Sequence, residues 1–566
     1  MMDPFELRGF ITMDIFCNHL APSKIPHPFT DPDPATLSAL GCAYWSLHGV
    51  QCLGEPKEKN PTSDFDSERF TAQLATAWDG IYHWSTFFLE LFPQMTPEER
   101  RTVHQLITRT VSGIRRPAQE YMVATDGIAE LAARLWLKEI PTDAHSTTLA
   151  WRLLDSDTSL LQQFVEVAGS PARIARVALS HLHAVLKDRD CPALIICHHL
   201  HTLCSLTWQW DPMPSAIVDQ RGVSLVTRTA VALANRRDHE EPTVRRAVSL
   251  AFSLLCFIAD AGNTPRRLKR FVREGLLHAY IPLFPVLDLY RTKEQEQIVW
   301  PLRTIAQNLV NRSLVGVIDG SFRALNVDVA SETFKDGLLK EAWLYLEKGM
   351  SIYANTKADL DQKLQEKCHH CRTYVEKAAL KRCSRCKYAL YCSPACQIAR
   401  WNGHKERCSV QRQLSLRLGN DVPTRSDIIF TLHLAMAFTL GHARGLRSWA
   451  AQSYPGVPLS QIAICVSFIE HPGPSCYALN HVYIPAEAGK AQEVVTGIVR
   501  AAQDSGHTLL QCITPAGKMS MISTTFVHSS IWDDDIPPSI PTGNWNVPTA
   551  TVFGPGENEV KEYVLH

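Results

Sequence analysis

The 566-residue chain reads as mainly α: a large all-helical region, a small cysteine-rich module and a C-terminal α+β unit. Three observations predict this. Apolar residues recur at three- and four-residue steps from about Pro34 to residue 366, the period of helices with one buried face. Seven of the 17 cysteines fall between Cys368 and Cys408. After Pro455 and Gly456 the pattern changes to short runs rich in Val, Ile, Tyr and Cys, which favour strands. The expected divisions are an irregular N-terminal segment (1–35), a helical scaffold (36–366), the cysteine-rich module (367–409), and a C-terminal helix with a small α+β unit and irregular tail (410–566).

Such a length is too great for a single core, and about three domains are expected. Hydrophobic residues make up 45% and charged residues 20%, which suits a folded chain. Formal net charge is zero and the pI is near 7.3, so nothing global points to nucleic acid or an anionic membrane as partner. The start, Met1-Met2-Asp3-Pro4-Phe5-Glu6, lacks the basic and apolar regions of a signal peptide. The most apolar run, around Ala247 to Ala261, falls short of the roughly 20 residues that span a bilayer. These features predict an intracellular protein, in the cytoplasm, the nucleus or both, with no membrane span. In a reducing compartment, clustered Cys-x-x-Cys pairs indicate metal rather than disulfides. The ten cysteines outside the cluster sit in apolar surroundings, as small core residues do.

Taken in order, the N-terminal segment is broken by Pro22, Pro26, Pro28, Pro32 and Pro34. Ser63 to Phe92 carries Phe70, Leu74, Trp78, Ile81, Trp84 and Phe88 at helical spacing. Thr96-Pro97-Glu98-Glu99 is a helix start, with an N-cap threonine, proline at the first helical position and acids in the first turn. Ser170-Pro171 repeats it. Further helices are expected over 192–209, 214–236, 242–261, 274–290, 294–312, 333–349 and 353–367. Such a series stacks as an armadillo- or HEAT-like solenoid or as an irregular bundle; no clean fixed period is visible. Beyond the module, Ser426 to Trp449 reads as one helix. Gln461–Ile469 and Tyr477–Ile484 read as strands, Glu487–Ser505 as a helix closed by Gly506, and His507–Ile513 and Met519–Val527 as two more strands. Residues 533–557, rich in Pro, Gly and Asn, are expected to be irregular.

The chemistry lies in Cys368-x2-Cys371-x11-Cys383-x2-Cys386-x5-Cys392-x3-Cys396-x7-His404-x3-Cys408. A Cys-x2-Cys turn brings two thiolates to one metal. Cys392 and Cys396 are four apart, as are His404 and Cys408, so on a helix each pair shares a face. Ser393-Pro394 is a helix start, and the helix should run toward Arg407. Eight ligands fill two tetrahedral zinc sites, so both ions would be structural. His369 and His370 lie inside the first pair and read as turn residues. Lys363 to Cys408 holds 11 Lys/Arg against 3 Asp/Glu, a surplus that offsets anionic zinc–thiolate centres.

This arrangement resembles the MYND-type zinc finger, with four ligand pairs, Tyr391 before Cys392, Gln397 after Cys396, Trp401, and His404-Lys405 before Cys408. The resemblance covers residues 368–408 only. It implies interleaved ligation: Cys368, Cys371, Cys392 and Cys396 on one zinc, and Cys383, Cys386, His404 and Cys408 on the other. It also implies that Gln397 and Trp401, four apart on one helix face, bind short proline-containing peptides of a protein partner. The competing expectation is that Trp401 only packs a small core.

Other constellations are weaker. Cys191, Cys197, His198, His199, His201 and Cys204 sit in a segment that reads as a buried helix, so core histidines and thiols are expected; His181 and His183 read likewise. Asp533-Asp534-Asp535 reads as a solvated loop. No P-loop, G-x-S-x-G elbow or H-E-x-x-H helix occurs. The expectation is therefore a zinc-binding, non-enzymatic protein–protein interaction adaptor. Its alternative is an enzyme: a divergent SET-type protein-lysine methyltransferase, for which only Asn480-His481 stands after the finger, or another activity in the C-terminal unit. A third reading makes the helical region the binding surface and the finger a clip.

Overall fold

The computed structural model describes residues 13–26, 33–54, 67–113, 118–188, 190–260, 264–325, 335–362, 365–418, 424–468, 473–479, 499–500, 502, 504, 507–516, 519–528, 532 and 549–553. They are mainly α. The chain divides into two compact units, Met1–Thr229 with Asp238–Leu254, and Ala230–Arg237 with Leu255–His566.

In the first unit every regular element among the described residues is helical. Residues 13–19, inside the segment expected to be irregular, form a short helix. Long helices start at Pro97, His145, Ala193 and Pro242, at steps of 48, 48 and 49 residues. Each of the first three is followed by a short helix (Ala118–Val123, Leu160–Ala168, Pro212–Asp219) and then another helix (Ile128–Trp136, Pro171–Lys187, Gly222–Ala234). Pro34–Gly54 packs on Pro97–Ser112, that on His145–Ser156, and that on Ala193–Gln209. Ile128–Trp136 packs on Leu160–Ala168, and Pro171–Lys187 on Pro212–Asp219. Each helix meets its near neighbours in sequence, which is the logic of a solenoid. The period is hidden in the sequence because equivalent helices differ in length: 9, 17 and 13 residues in the third position. The helix expected over 214–236 is two, broken where Arg221 takes φ 60°.

The helix starts follow local chemistry. Thr96 Oγ1 accepts the Glu99 amide at 3.3 Å while Glu99 accepts the Thr96 amide at 2.8 Å, a reciprocal capping box. Ser170 Oγ accepts the Arg173 amide at 3.3 Å, a one-way cap without the return bond. His145–Ser156 begins differently. Ala144, at φ 52°, has no side-chain acceptor to offer, and Glu139, eight residues before Thr147, accepts the Thr147 amide at 2.9 Å.

Buried apolar side chains fill the space between the helices, with Trp84, Trp136 and Phe164 among the largest. Trp136 and Phe164 lie 5.5 Å apart. On Ala193–Gln209 the thiols of Cys197 and Cys204 are buried, and burial pushes Cys197 up to about 11. Cys191, just before the helix, is buried too. His198 bonds Thr148 Oγ1 at 2.8 Å, and His201 stacks on Trp151 at 4.4 Å and reaches Asp155 at 3.0 Å. His181 is buried as expected, but His183 is exposed, because two residues along a helix turn the side chain to the opposite side. Pro242–Asp260, with 19 residues and a mean hydropathy of 1.4, is long and apolar enough to cross a membrane by length and composition, and 67% of its most apolar window is buried within the protein.

The second unit begins with helices that include Thr264–Arg273, Thr292–Gln307 and Arg312–Leu325. Leu338–Gln362 replaces the two helices expected over 333–349 and 353–367 with one, and residues 365–367 are a strand. It packs on Thr292–Gln307, Arg312–Leu325 and Arg425–Gly441. The cysteine-rich module follows, with β1 (Gln365–Lys367) paired to β2 (Tyr374–Glu376), β3 (Lys381–Arg382) paired to β4 (Leu390–Tyr391), and the helix Pro394–Leu418. The helix expected over Ser426 to Trp449 breaks at His442 into Arg425–Gly441 and Ala443–Ser453.

The C-terminal sheet has the order β6-β5-β7-β8-β9, from β5 (Ile462–Ser467), β6 (Gly473–Ala478), β7 (His507–Ala516), β8 (Met519–His528) and β9 (Thr549–Phe553). All pairs are antiparallel except β5 with β7, where Ile464 faces Leu510. A parallel neighbour requires a crossover. Most of the helix expected at Glu487–Ser505 lies outside the described residues, while 499–500, 502 and 504 are helical. Strand β9 corrects the expectation of an irregular 533–557 at residues 549–553, the rest lying outside the described residues: Thr549, Thr551 and Val552 are β-branched and pair along the free edge of β8.

Trp136→Ala should destabilise by about 3–5 kcal/mol through the cavity it leaves. Ser170→Ala should cost about 1 kcal/mol through the lost cap. Urea unfolding followed by far-UV circular dichroism measures both, and equal effects would contradict this account of the core.

Candidate metal centre

Both Cys-x2-Cys turns share one backbone device. Arg372, just after Cys371, and Lys387, just after Cys386, take φ 64° and 59°. The Arg372 amide reaches the Cys368 carbonyl at 3.1 Å, and the Lys387 amide reaches that of Cys383 at 2.8 Å. Each turn therefore points two sulfurs to one side. The β3–β4 pairing then returns the chain past the second turn, with the Cys383 amide on the Ala389 carbonyl at 2.8 Å. Ser393 Oγ accepts the Cys396 amide at 3.2 Å and starts the helix on which Cys396, His404 and Cys408 ride.

The eight residues gather into two tetrads. In one, Cys368, Cys371, Cys392 and Cys396 place their sulfurs within 4.8 Å of one another; in the other, the sulfurs of Cys383, Cys386 and Cys408 and a ring nitrogen of His404 do the same. Individual separations are 3.6 Å for Cys371–Cys392, 3.4 Å for Cys392–Cys396, 3.8 Å for Cys383–Cys408 and 3.5 Å for Cys386 Sγ to His404 Nε2. Four sulfurs at about 2.3 Å from zinc on a tetrahedron lie about 3.8 Å apart, so both sets fit the ion. Each tetrad joins an early pair to a late one, as the resemblance implied.

The charges fit as well. Hydrogen bonds from the Thr373 hydroxyl and amide pull Cys371 down to about 6, while contact with Cys396, Cys368 and Cys371 pushes Cys392 up to about 12. Thiols this close cannot all ionise by themselves, and a divalent cation removes the conflict. Backbone amides assist: Cys392 N–H points to Cys368 Sγ at 3.5 Å and Tyr388 N–H to Cys386 Sγ at 3.4 Å. All four residues of the second tetrad are buried, whereas Cys371 in the first is exposed. Protein side chains fill four positions at each site, the arrangement of structural zinc.

The two inner histidines are separated by their partners. His369 Nε2 accepts Arg425 Nη1 at 2.8 Å, and burial beside that guanidinium holds it down at about 3. His370 is exposed in the turn. Arg425 also reaches Glu366 at 2.8 Å, which fastens the finger to the helix that begins there. Nothing in the sequence pattern marked Arg425.

Tyr391 is fully buried, its ring 6.1 Å from that of His404. Trp401 packs on the finger's cluster, 6.0 Å from His404, and remains half-buried. Gln397 is half-buried one turn earlier, and Ile398 beside it is 76% exposed. The Asn480-His481 pair and the run Asp533 to Asp535 lie outside the described residues.

Removing zinc with a strong chelator should shift Trp401 fluorescence while most far-UV helical signal persists, because the helices have their own core. Lys387→Val should weaken cobalt binding to the second tetrad by about 1–2 kcal/mol, since a β-branched residue resists φ near 60°, and Lys387→Gly should not. Thiolate-to-cobalt absorption during titration measures both variants.

Comparison with known proteins agrees with this geometry. Residues 368–408 match the MYND finger family. A SET and MYND domain-containing protein of Dictyostelium discoideum is 33% identical over 81 residues, which span 11% of this chain and 15% of that relative. A solved engineered protein superposes with a TM-score of 0.32 at 16% identity, over 56% of this chain and 71% of its own, too low to carry an argument. The segment from Cys368 to Cys408 is a MYND-type zinc finger with two structural zinc ions, carried by a mainly helical chain.

Proposed function

We propose that this protein is a non-enzymatic adaptor whose finger docks a proline-containing segment of a protein partner against Gln397, Ile398 and Trp401. A protein-interaction role belongs to the finger; the peptide class and the three residues are our reading. The observation that carries it is the state of Trp401, packed on one side against the zinc-bound finger and half-open on the other, with a 76%-exposed isoleucine three residues before it. An aromatic held rigid by its own core loses little entropy on binding, and a flat apolar face with a nearby amide suits an extended peptide. Four protein ligands at each zinc also favour a structural role over chemistry at the metal. The adaptor would work in the cytoplasm or nucleus, where its cysteines, seven of them on zinc, stay out of disulfides.

In a fluorescence titration with labelled proline-containing peptides, Trp401→Ala should weaken binding at least tenfold and Gln397→Ala severalfold, with cobalt affinity unchanged. Undiminished binding by both variants would end the peptide reading.

The alternative is an enzyme, either a divergent SET-type protein-lysine methyltransferase or one with its site in the C-terminal sheet. The observation that favours the first is the SET and MYND domain-containing relative, of which the chain spans 15%. Calorimetry with S-adenosylmethionine separates the readings: the adaptor should give no heat of binding, and saturable 1:1 binding would replace it with a methyltransferase.

A further inference from the structure

The first unit holds a second cluster of metal-ligating groups, and it owes nothing to the finger. Glu139, His181 and His199 are 8%, 6% and 3% exposed. A carboxylate oxygen and one nitrogen from each ring lie within 4.8 Å of one another. The three come from different elements: Glu139 from the turn after Ile128–Trp136, His181 from Pro171–Lys187 and His199 from Ala193–Gln209.

Two features set this cluster apart from an ordinary buried hydrogen-bond network. His181 Nδ1 is buried without a hydrogen-bond partner, an expensive state for a polar atom. It stands 3.7 Å from Glu139 Oε2, too far for a hydrogen bond. Two N or O ligands at 2.0–2.1 Å on one tetrahedral ion would be about 3.4 Å apart, so the spacing suits a shared cation. The second feature is the tautomer of His199. Its Nε2 lies 2.8 Å from the Pro141 carbonyl, which can only accept, so Nε2 carries the proton and Nδ1 keeps a lone pair. Nδ1 faces the Thr147 hydroxyl at 3.2 Å, and that hydroxyl also bonds Glu139 Oε2. A metal-bound imidazole characteristically donates its other N–H to a backbone carbonyl in this way.

Among the described residues Glu139 has no Lys or Arg partner, and its 3.7 Å contact with His181 is no ion pair, because burial holds that imidazole neutral. The carboxylate is thus placed to meet a cation that the side chains do not supply. We infer that Glu139, His181 and His199 form a third metal site, taking one divalent transition-metal ion through Glu139 Oε2, His181 Nδ1 and His199 Nδ1. Two imidazoles and one carboxylate suit zinc, and Thr147 Oγ1 borders the remaining position. The ion would join three helical segments and steady the start of His145–Ser156, which Glu139 caps.

The test counts metal in the full chain. After equilibration with buffered Zn²⁺ and desalting, native mass spectrometry should find three zinc ions per chain, two from the finger and one from this site; a count of two overturns the inference. The variant Cys368→Ser, Cys371→Ser, Cys383→Ser, Cys386→Ser, Cys392→Ser, Cys396→Ser, Cys408→Ser should keep one ion, and loaded with cobalt it should show visible d–d bands without thiolate charge transfer. Retention of none, or of cobalt with thiolate absorption, overturns it. Adding His181→Ala to that variant should abolish the residual ion. If that protein fails to fold, the wild-type and finger-variant counts still decide. Loss of peptide binding by Trp401→Ala bears on none of these counts.

Discussion

Crossed ligation is the constraint that the finger and everything attached to it depend on. The buried cluster of the module consists of Cys368, Cys383, Cys386 and Cys408 with Ala389 and Tyr391, too little apolar surface to hold 41 residues together. Metal bonds replace the missing core, and because each ion joins an early turn to the late helix, neither turn can leave without releasing the other end of the module. The left-handed residues after Cys371 and Cys386, the Ser393 cap and the β3–β4 return all bring sulfur atoms to the two ions. Trp401 then has a floor to rest on, which is why its outer face can remain fixed and partly open.

The helical region meets the same requirement by other means. Its helices bury Trp and Leu side chains in a stack of three-helix steps, and the local chemistry of each start decides where a helix begins. Where a capping side chain is missing, at Ala144, a carboxylate from the preceding turn takes its place. That substitution draws a glutamate into the interior beside two histidines, so a solution to a backbone problem also creates an unusual polar environment.

Local chemistry made much of this legible in the sequence. Thr96 and Ser170 announced their helices because caps act within three residues. The eight finger ligands were legible because metal spacing is nearly independent of the surrounding fold. What remained hidden depends on residues far apart in the chain. The 48-residue step is masked by unequal helix lengths, and β9 forms only because β8 offers it an edge. Arg425 looks like any surface arginine until the fold sets it against His369 and Glu366. His181 and His199 each read correctly as buried, yet their meeting with Glu139 arises from the stacking of separate helices, which no spacing rule contains.

The grip of Arg425 on the finger has a mechanical consequence. The helix it begins, Arg425–Gly441, packs on β5, β6, β7 and β8, with Phe438 5.6 Å from Phe468. The module is therefore not a bead on a flexible string; one lever runs from zinc through guanidinium and helix to the sheet. A polypeptide seated on the finger would leave it in a set direction relative to the sheet, so a second contact there would gain from high effective concentration without a linker to restrain.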